Sequence, residues 1–148
     1  MKQVDFYLIS NGVPNARYKL ASRLANKLQR LEQSALLGTD SPEQTSELDK
    51  TMWQFSDTSF LPHDDIADLD SAISNIHIGA HLEVSPAVLA ENYNVLINLS
   101  LDVPLFSHHF ERIAEIVEAD DQSKSSARSR YKHYQAEGFE LKTHNIEL

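Results

Sequence analysis

The sequence predicts an α/β sandwich built around a mostly parallel central sheet. Three observations predict it. Short apolar runs rich in branched residues alternate with longer segments whose apolar residues recur at helical spacing. The run Val95-Leu96-Ile97-Asn98-Leu99 is apolar on both sides, as a strand covered by helices on two faces must be. The 148 residues, 41% hydrophobic and 24% charged, suffice for one core of ordinary size. The expected organisation is one domain, 1–148.

Val4 to Ile9 is a short apolar run closed by Asn11-Gly12 and reads as a buried strand. Pro14 then stands where a helix begins, and Leu20, Leu24, Leu28 and Leu31 form one apolar stripe. Arg23, Lys27 and Arg30 fall on a neighbouring face, and the segment Arg17 to Arg30 holds no acid. The plain reading of these bases is a solvated surface. Ala35-Leu36-Leu37-Gly38 is a weakly marked strand. Ser41-Pro42-Glu43-Gln44 marks a helix start more clearly: Ser41 as N-cap, Pro42 at the first helical position and Gln44 completing a capping box. That helix carries Leu48, Met52 and Trp53 and runs to about Gln54.

Pro62 and the acids after it argue for an extended segment leaving the helix. Ile76 to Gly79 is a candidate short strand. Phe110 to Val117 fits two patterns: Phe110, Ile113, Ile116 and Val117 suit a helix, whereas Ile113, Glu115 and Val117 alternate like an edge strand. A short helix leading into a strand satisfies both. Asp120-Asp121 then caps a helix that runs to about Glu137 and ends at Gly138, and the tail from Phe139 adds one short strand.

Composition bounds function. There is no cysteine, which excludes disulfides, thiolate metal sites and cysteine nucleophiles. No apolar run approaches the roughly 20 residues of a membrane span, and Phe6 to Ile9 is too short for a signal-peptide core, so a cytoplasmic protein without membrane contact is expected. The net charge of -9 opposes binding of a phosphate backbone by the surface as a whole. Its distribution is uneven. From Leu61 to Asp120 the only Lys or Arg is Arg112, whereas Ser123 to Ala136 holds Lys124, Arg128, Arg130 and Lys132 and no acid.

Catalytic motifs are absent. The four glycines, Gly12, Gly38, Gly79 and Gly138, are too far apart for a dinucleotide fingerprint or a phosphate loop. His63-Asp64-Asp65 and His108-His109 are the candidate metal ligands, but adjacent side chains diverge and neither cluster makes a site alone. Ser10 lacks a nucleophile elbow and reads as a turn serine.

The basic helix carries the sharper signal. Arg128, Tyr131, Lys132 and Gln135 stand at i, i+3, i+4 and i+7 on one face, with Lys124 one turn earlier. Like charges in such a row repel, and a row that tolerates this is suited to holding an anion. Arg128 offers a two-pronged grip on a carboxylate, Lys132 a compact charge and Tyr131 an apolar wall with a polar tip. An acidic peptide ending in an aromatic residue and a free carboxylate fits this chemistry. Stacking of single-stranded nucleic acid, or a solvated face with Tyr134 turned inward, also fits.

Taken together, the chain resembles the chi subunit of bacterial DNA polymerase III. The resemblance is carried by Phe6-Tyr7-Leu8, Leu48-Asp49, Trp53, Ser59-Phe60-Leu61-Pro62-His63, Val95 to Leu99, Phe110, Ala127 to Tyr134 and Gly138-Phe139-Glu140-Leu141. It implies a three-layer Rossmann-like fold without nucleotide chemistry, no cofactor, and a non-catalytic subunit of the polymerase complex. It implies that Lys124, Arg128, Tyr131 and Lys132, with Val117 as an apolar wall, receive the acidic C-terminal tail of single-stranded DNA-binding protein. It also implies that Trp53 and Phe60 meet the psi subunit, which links chi to the clamp loader, and that a repair helicase can use the same surface. DNA is then reached only through partners. Gln135 departs from family members that carry another base there, and the acidic stretch Asp64 to Pro86 matches poorly. The competing class is an enzyme of the same fold that handles a nucleotide or phosphate ester with a metal.

Overall fold

The computed structural model describes residues 2–11, 13–53, 64–65, 76–80, 93–100 and 110–147. In chain order the elements are β1 (Gln3–Ile9), α1 (Ala16–Arg30), β2 (Ala35–Thr39), α2 (Pro42–Trp53), β3 (Asp64–Asp65), β4 (Ile76–Ala80), β5 (Val95–Asn98), β6 (Arg112–Val117), α3 (Asp121–Ala136) and β7 (Glu140–Ile146). The strands form one seven-stranded sheet in the order β3-β4-β2-β5-β6-β1-β7, and every neighbouring pair is parallel.

Connection direction explains the layers. The chain moves one way along the sheet from β1 through β2 to β3, and the other way from β6 to β7. Crossovers between parallel strands are right-handed, so a reversal of direction moves the connecting helix to the opposite face. Two cores result. Leu20, Ala21 and Ala25 of α1 and Leu48 of α2 cover Ile9, Leu37, Ile97 and Ile116 on one face. Ala127 and Tyr134 of α3 cover Val4, Phe6, Leu36, Leu96, Ile113 and Val117 on the other. This is the expected three-layer α/β sandwich.

The caps stand where the sequence indicates, but the Gln44 side chain bonds the N–H of Asp40, one residue before the Ser41 N-cap. The Ser41 hydroxyl accepts the Gln44 amide N–H at 3.1 Å, while the Gln44 side chain accepts the Asp40 N–H at 2.7 Å and donates to the Leu99 carbonyl at 2.9 Å. Gln44 thus also ties α2 to the residue that follows β5. Asp120 caps α3 by accepting from the Ser123 amide at 2.8 Å and from its hydroxyl at 2.7 Å, and these bonds hold its carboxyl below the usual range.

Three expectations change. Residues 110–117 hold no helix: β6 is a strand, and an interior one, between β5 and β1. The charge of Glu115 made the pattern look half-exposed, but Glu115 is fully buried among partners. Leu31 does not continue the buried stripe of α1; it is 58% exposed at the helix end. The C-terminal strand is long, seven residues along the edge, and is pinned by His144, which stacks on Tyr7 and lies 2.9 Å from the buried Asp5 carboxylate.

α1 and α3 end in the same backbone motif with different residues. The amides of Gly138 and Phe139 bond back to the carbonyls of Gln135 and Tyr134, and those of Glu32 and Gln33 bond back to Gln29 and Leu28. Gly138 has φ 88° and Glu32 φ 58°. A Cβ on Gly138 would meet nothing within 4 Å, so the cost of a side chain there is purely backbone strain. Gly138→Ala is expected to cost about 1 kcal/mol, and Glu32→Gly to gain somewhat less, in urea unfolding.

Candidate functional site

The C-terminal ends of parallel strands are where this fold class builds its crevices. Here β1 brings Phe6 and Leu8 to the α3 face, and β6 ends there with Val117, followed by Glu118. The helix above presents Lys124, Ala127, Arg128 and Tyr131 at i, i+3, i+4 and i+7, one continuous stripe. Strand ends and stripe enclose an open cavity of about 250 Å³, closed on the β7 side by Thr143.

The cavity is amphipathic. Its floor is apolar, made by Phe6, Leu8, Val117 and Ala127, and its rim carries Lys124 and Arg128. Tyr131 stands between them, 37% exposed, with its ring 5.4 Å from that of Phe6 and tilted by 49°. Among the described residues neither Lys124, Arg128 nor Lys132 forms an ion pair. Among the described residues the one acid of the rim is Glu118, which lies 3.7 Å from Arg17 in the first turn of α1. A site with an apolar floor, an aromatic wall and two free cations has the chemistry to take an apolar side chain flanked by carboxylates.

Of the residues singled out by sequence, Lys124, Arg128, Tyr131 and Val117 converge on this cavity. Lys132 does not line it; it is exposed one turn beyond Arg128, and Gln135 is exposed another turn on. Trp53 is the last residue of α2, its side chain outside the described residues, as is Phe60 altogether. Reasoning from sequence missed Phe6, Leu8, Ile9, Ala127, Glu118 and Thr143. Phe6 and Leu8 carried a usable signal, since alternation in β1 places both on the face opposite Asp5 and Tyr7.

Arg130, counted among the basic residues of this helix, takes no part in the surface charge. Its Nε donates to Glu115 Oε1 at 2.9 Å and its Nη1 to the Ser126 hydroxyl at 2.8 Å. The same Glu115 carboxylate accepts from the Tyr134 hydroxyl at 2.6 Å and from Asn98 Nδ2 at 2.9 Å. Burial nevertheless pushes the Glu115 carboxyl above its usual range, against the pull of Arg130 and these hydrogen bonds. This network locks α3 to β6 and β5 beneath the cavity and fixes which face of the helix points outward.

The candidate metal ligands His63, His108 and His109, and Gly12 at the turn after β1, lie outside the described residues; Asp64 and Asp65 form β3. Among the described residues no three His, Asp or Glu side chains are grouped to hold a metal ion. Ser10 follows the end of β1, with its amide and hydroxyl both donating to the Ile146 carbonyl, at 2.9 and 3.1 Å, and no described helix is long and apolar enough to cross a membrane.

Comparison with known proteins gives the family. The family described as the DNA polymerase III chi subunit, HolC, matches residues 1–142. The DNA polymerase III subunit chi of Pseudomonas aeruginosa is 34% identical over 146 residues, covering 99% of this chain and 98% of its own. Those of Haemophilus influenzae and Escherichia coli are 29% and 28% identical, covering 98% and 97% of both chains. Among solved structures, T4 UvsW superposes with a TM-score of 0.63 at 11% identity, over 99% of this chain and 41% of that one. The C-terminal domain of the DEAD-box protein Dbp5 gives 0.59 at 12% identity, over 99% and 90%. At such identities these two structures bear on fold alone. The match along the chain, with relatives aligned over nearly their whole lengths, shows that the chain belongs to the DNA polymerase III chi subunit family.

Proposed function

We propose that this chain is a docking subunit of the replicative polymerase that holds the acidic C-terminal tail of single-stranded DNA-binding protein in the cavity between α3 and β1. The convergence of Lys124, Arg128, Tyr131 and Val117 on one cavity with an apolar floor carries this reading. The terminal aromatic side chain of the tail enters against Phe6 and Val117, and its carboxylates meet Lys124 and Arg128. Lys132, exposed beyond the cavity, adds long-range attraction to the acidic stretch upstream. The psi subunit binds elsewhere, through Trp53 and Phe60, and couples the chain to the clamp loader; a repair helicase competes for that second surface. In this reading the chain supplies no catalytic group and uses no cofactor, works in the cytoplasm at the replisome, and reaches DNA only through its partners.

A fluorescent peptide ending in acidic residues and a C-terminal Phe tests this by anisotropy. Arg128→Ala and Lys124→Ala should each weaken binding by about 1–3 kcal/mol, as for a lost charge-assisted hydrogen bond, and Lys132→Ala by less. Glu118→Gln should tighten it by a few tenths of a kcal/mol, because a screened like charge leaves the rim. Affinity should fall as salt rises. Unchanged affinity in both Arg128→Ala and Lys124→Ala would overturn the assignment. Trp53→Ala, assayed by co-purification with psi, should lose that partner while keeping the peptide. A melting temperature raised by ATP or a divalent ion would instead favour an enzyme of this fold.

A further inference from the structure

The second basic segment, on α1, is unused by this reading. Lys19, Arg23, Lys27 and Arg30 stand at i, i+4, i+8 and i+11 and are all exposed, a single row down one face of the helix over about 16 Å. Among the described residues none of the four forms an ion pair. The helix dipole favours Lys27 and Arg30 in the last turn but disfavours Lys19 in the first. Successive like charges at this spacing repel. A merely solvated helix in a chain of net charge -9 would be expected to mix signs.

The row ends at a second cavity. On the α1 face of the sheet an opening of about 120 Å³ is bounded by Lys27, Leu28 and Leu31 of the helix side and by Tyr7, Arg112 and Asp5 of the strands, the last 3.6 Å from the Arg112 guanidinium. Leu31 is 58% exposed there, and the other exposed large apolar side chain among the described residues is Tyr131 at the first cavity. Row and cavity lie on the face opposite α3.

We propose that α1 is a separate docking surface for an acidic amphipathic helix of a protein partner. Carboxylates one turn apart on such a helix match the cation row rung for rung, and an apolar residue at its end enters the cavity beside Leu31. A nucleic acid fits less well. The row carries no exposed aromatic ring on which a base could stack, and the acidic chain as a whole repels a phosphate backbone.

Anisotropy titration of the full chain tests the surface with three labelled probes. The first is a helical peptide with Glu at i, i+4, i+8 and i+11 and Leu on the adjoining face, the second the same composition scrambled, the third an oligo-dT strand. The patterned helix should bind about tenfold more tightly than the scrambled one, the equivalent of one or two aligned charge contacts. Arg23→Glu with Lys27→Glu should abolish that advantage, and Leu31→Ser should weaken binding without changing its salt dependence, with melting curves confirming a folded chain. Excess unlabelled acidic-tail peptide should not displace the helix. Equal binding of the scrambled peptide, tighter binding of oligo-dT through the same cations, displacement by the tail peptide, or no binding of the patterned helix would each overturn the proposal.

Discussion

Replacing Arg130 by methionine is expected to destabilise the protein by about 3–5 kcal/mol, the cost of leaving a buried carboxylate without its counter-ion. Glu115 is fully buried and Arg130 nearly so. The methionine cannot replace the 2.9 Å charge-assisted hydrogen bond that the guanidinium makes to Glu115. The direction of the Glu115 shift adds a second expectation. Burial pushes this carboxyl above its usual range despite its partners, so the unfolded chain loses the proton first as pH rises. Folding stability from this group is therefore greatest below the ordinary carboxylate value and falls as pH rises until the folded carboxyl has ionised. Ionising Glu115 in the folded chain is thus a cost, and the network fixes the seat of α3 more than it strengthens it. Removing it whole should then be mild: Glu115→Leu with Arg130→Met and Tyr134→Phe should recover most of the loss seen in Arg130→Met alone. Urea unfolding of the two variants decides this. If the triple variant is less stable than the single one, the network contributes net stability and the account of its role is wrong.

That network also explains what the sequence concealed. The α/β pattern was legible because β5 and β1 are apolar runs and because Ser41, Asp120 and Gly138 mark helix ends by local chemistry that tertiary context did not override. Residues 110–117 were ambiguous because a charged residue at an alternating position reads as exposed unless its partners are known, and those partners, Arg130 and Tyr134, lie more than a dozen residues away. The same hidden pairing made Arg130 look like a member of the surface cluster. Helical spacing did recover Lys124, Arg128 and Tyr131, since a stripe on one helix is a local property. It could not supply Phe6, Leu8 or Thr143, which reach the cavity only through the pairing of β1 with β6 and β7. Nor could it tell that Lys132, one turn from Arg128, falls beyond the cavity's edge.

Phe6 is where the core and the site share one side chain, and Phe6→Ala is expected to cost about 3 kcal/mol of stability, at the low end for a buried aromatic. Phe6 is 3% exposed and lies edge-on to Tyr134 at 6.1 Å, so its removal takes apolar surface from the centre of the α3 core. The cost stays near the low end because the void would open onto the existing cavity, into which the Tyr131 ring can swing, so the site can partly collapse. That movement has a functional consequence. The Tyr131 ring packs 5.4 Å from that of Phe6, and without that contact the wall of the proposed peptide site is expected to fall toward the floor. The acidic-tail peptide should then lose about tenfold in affinity, comparable to an aromatic contact together with the apolar area it covers. Phe6→Leu separates the two effects: it fills most of the volume at a cost of about 1 kcal/mol, yet removes the ring against which Tyr131 leans. Reduced affinity in a well-folded Phe6→Leu chain would tie binding to the Phe6–Tyr131 contact itself. Full affinity there, with loss only in Phe6→Ala, would mean that the floor needs volume at this position and not an aromatic face.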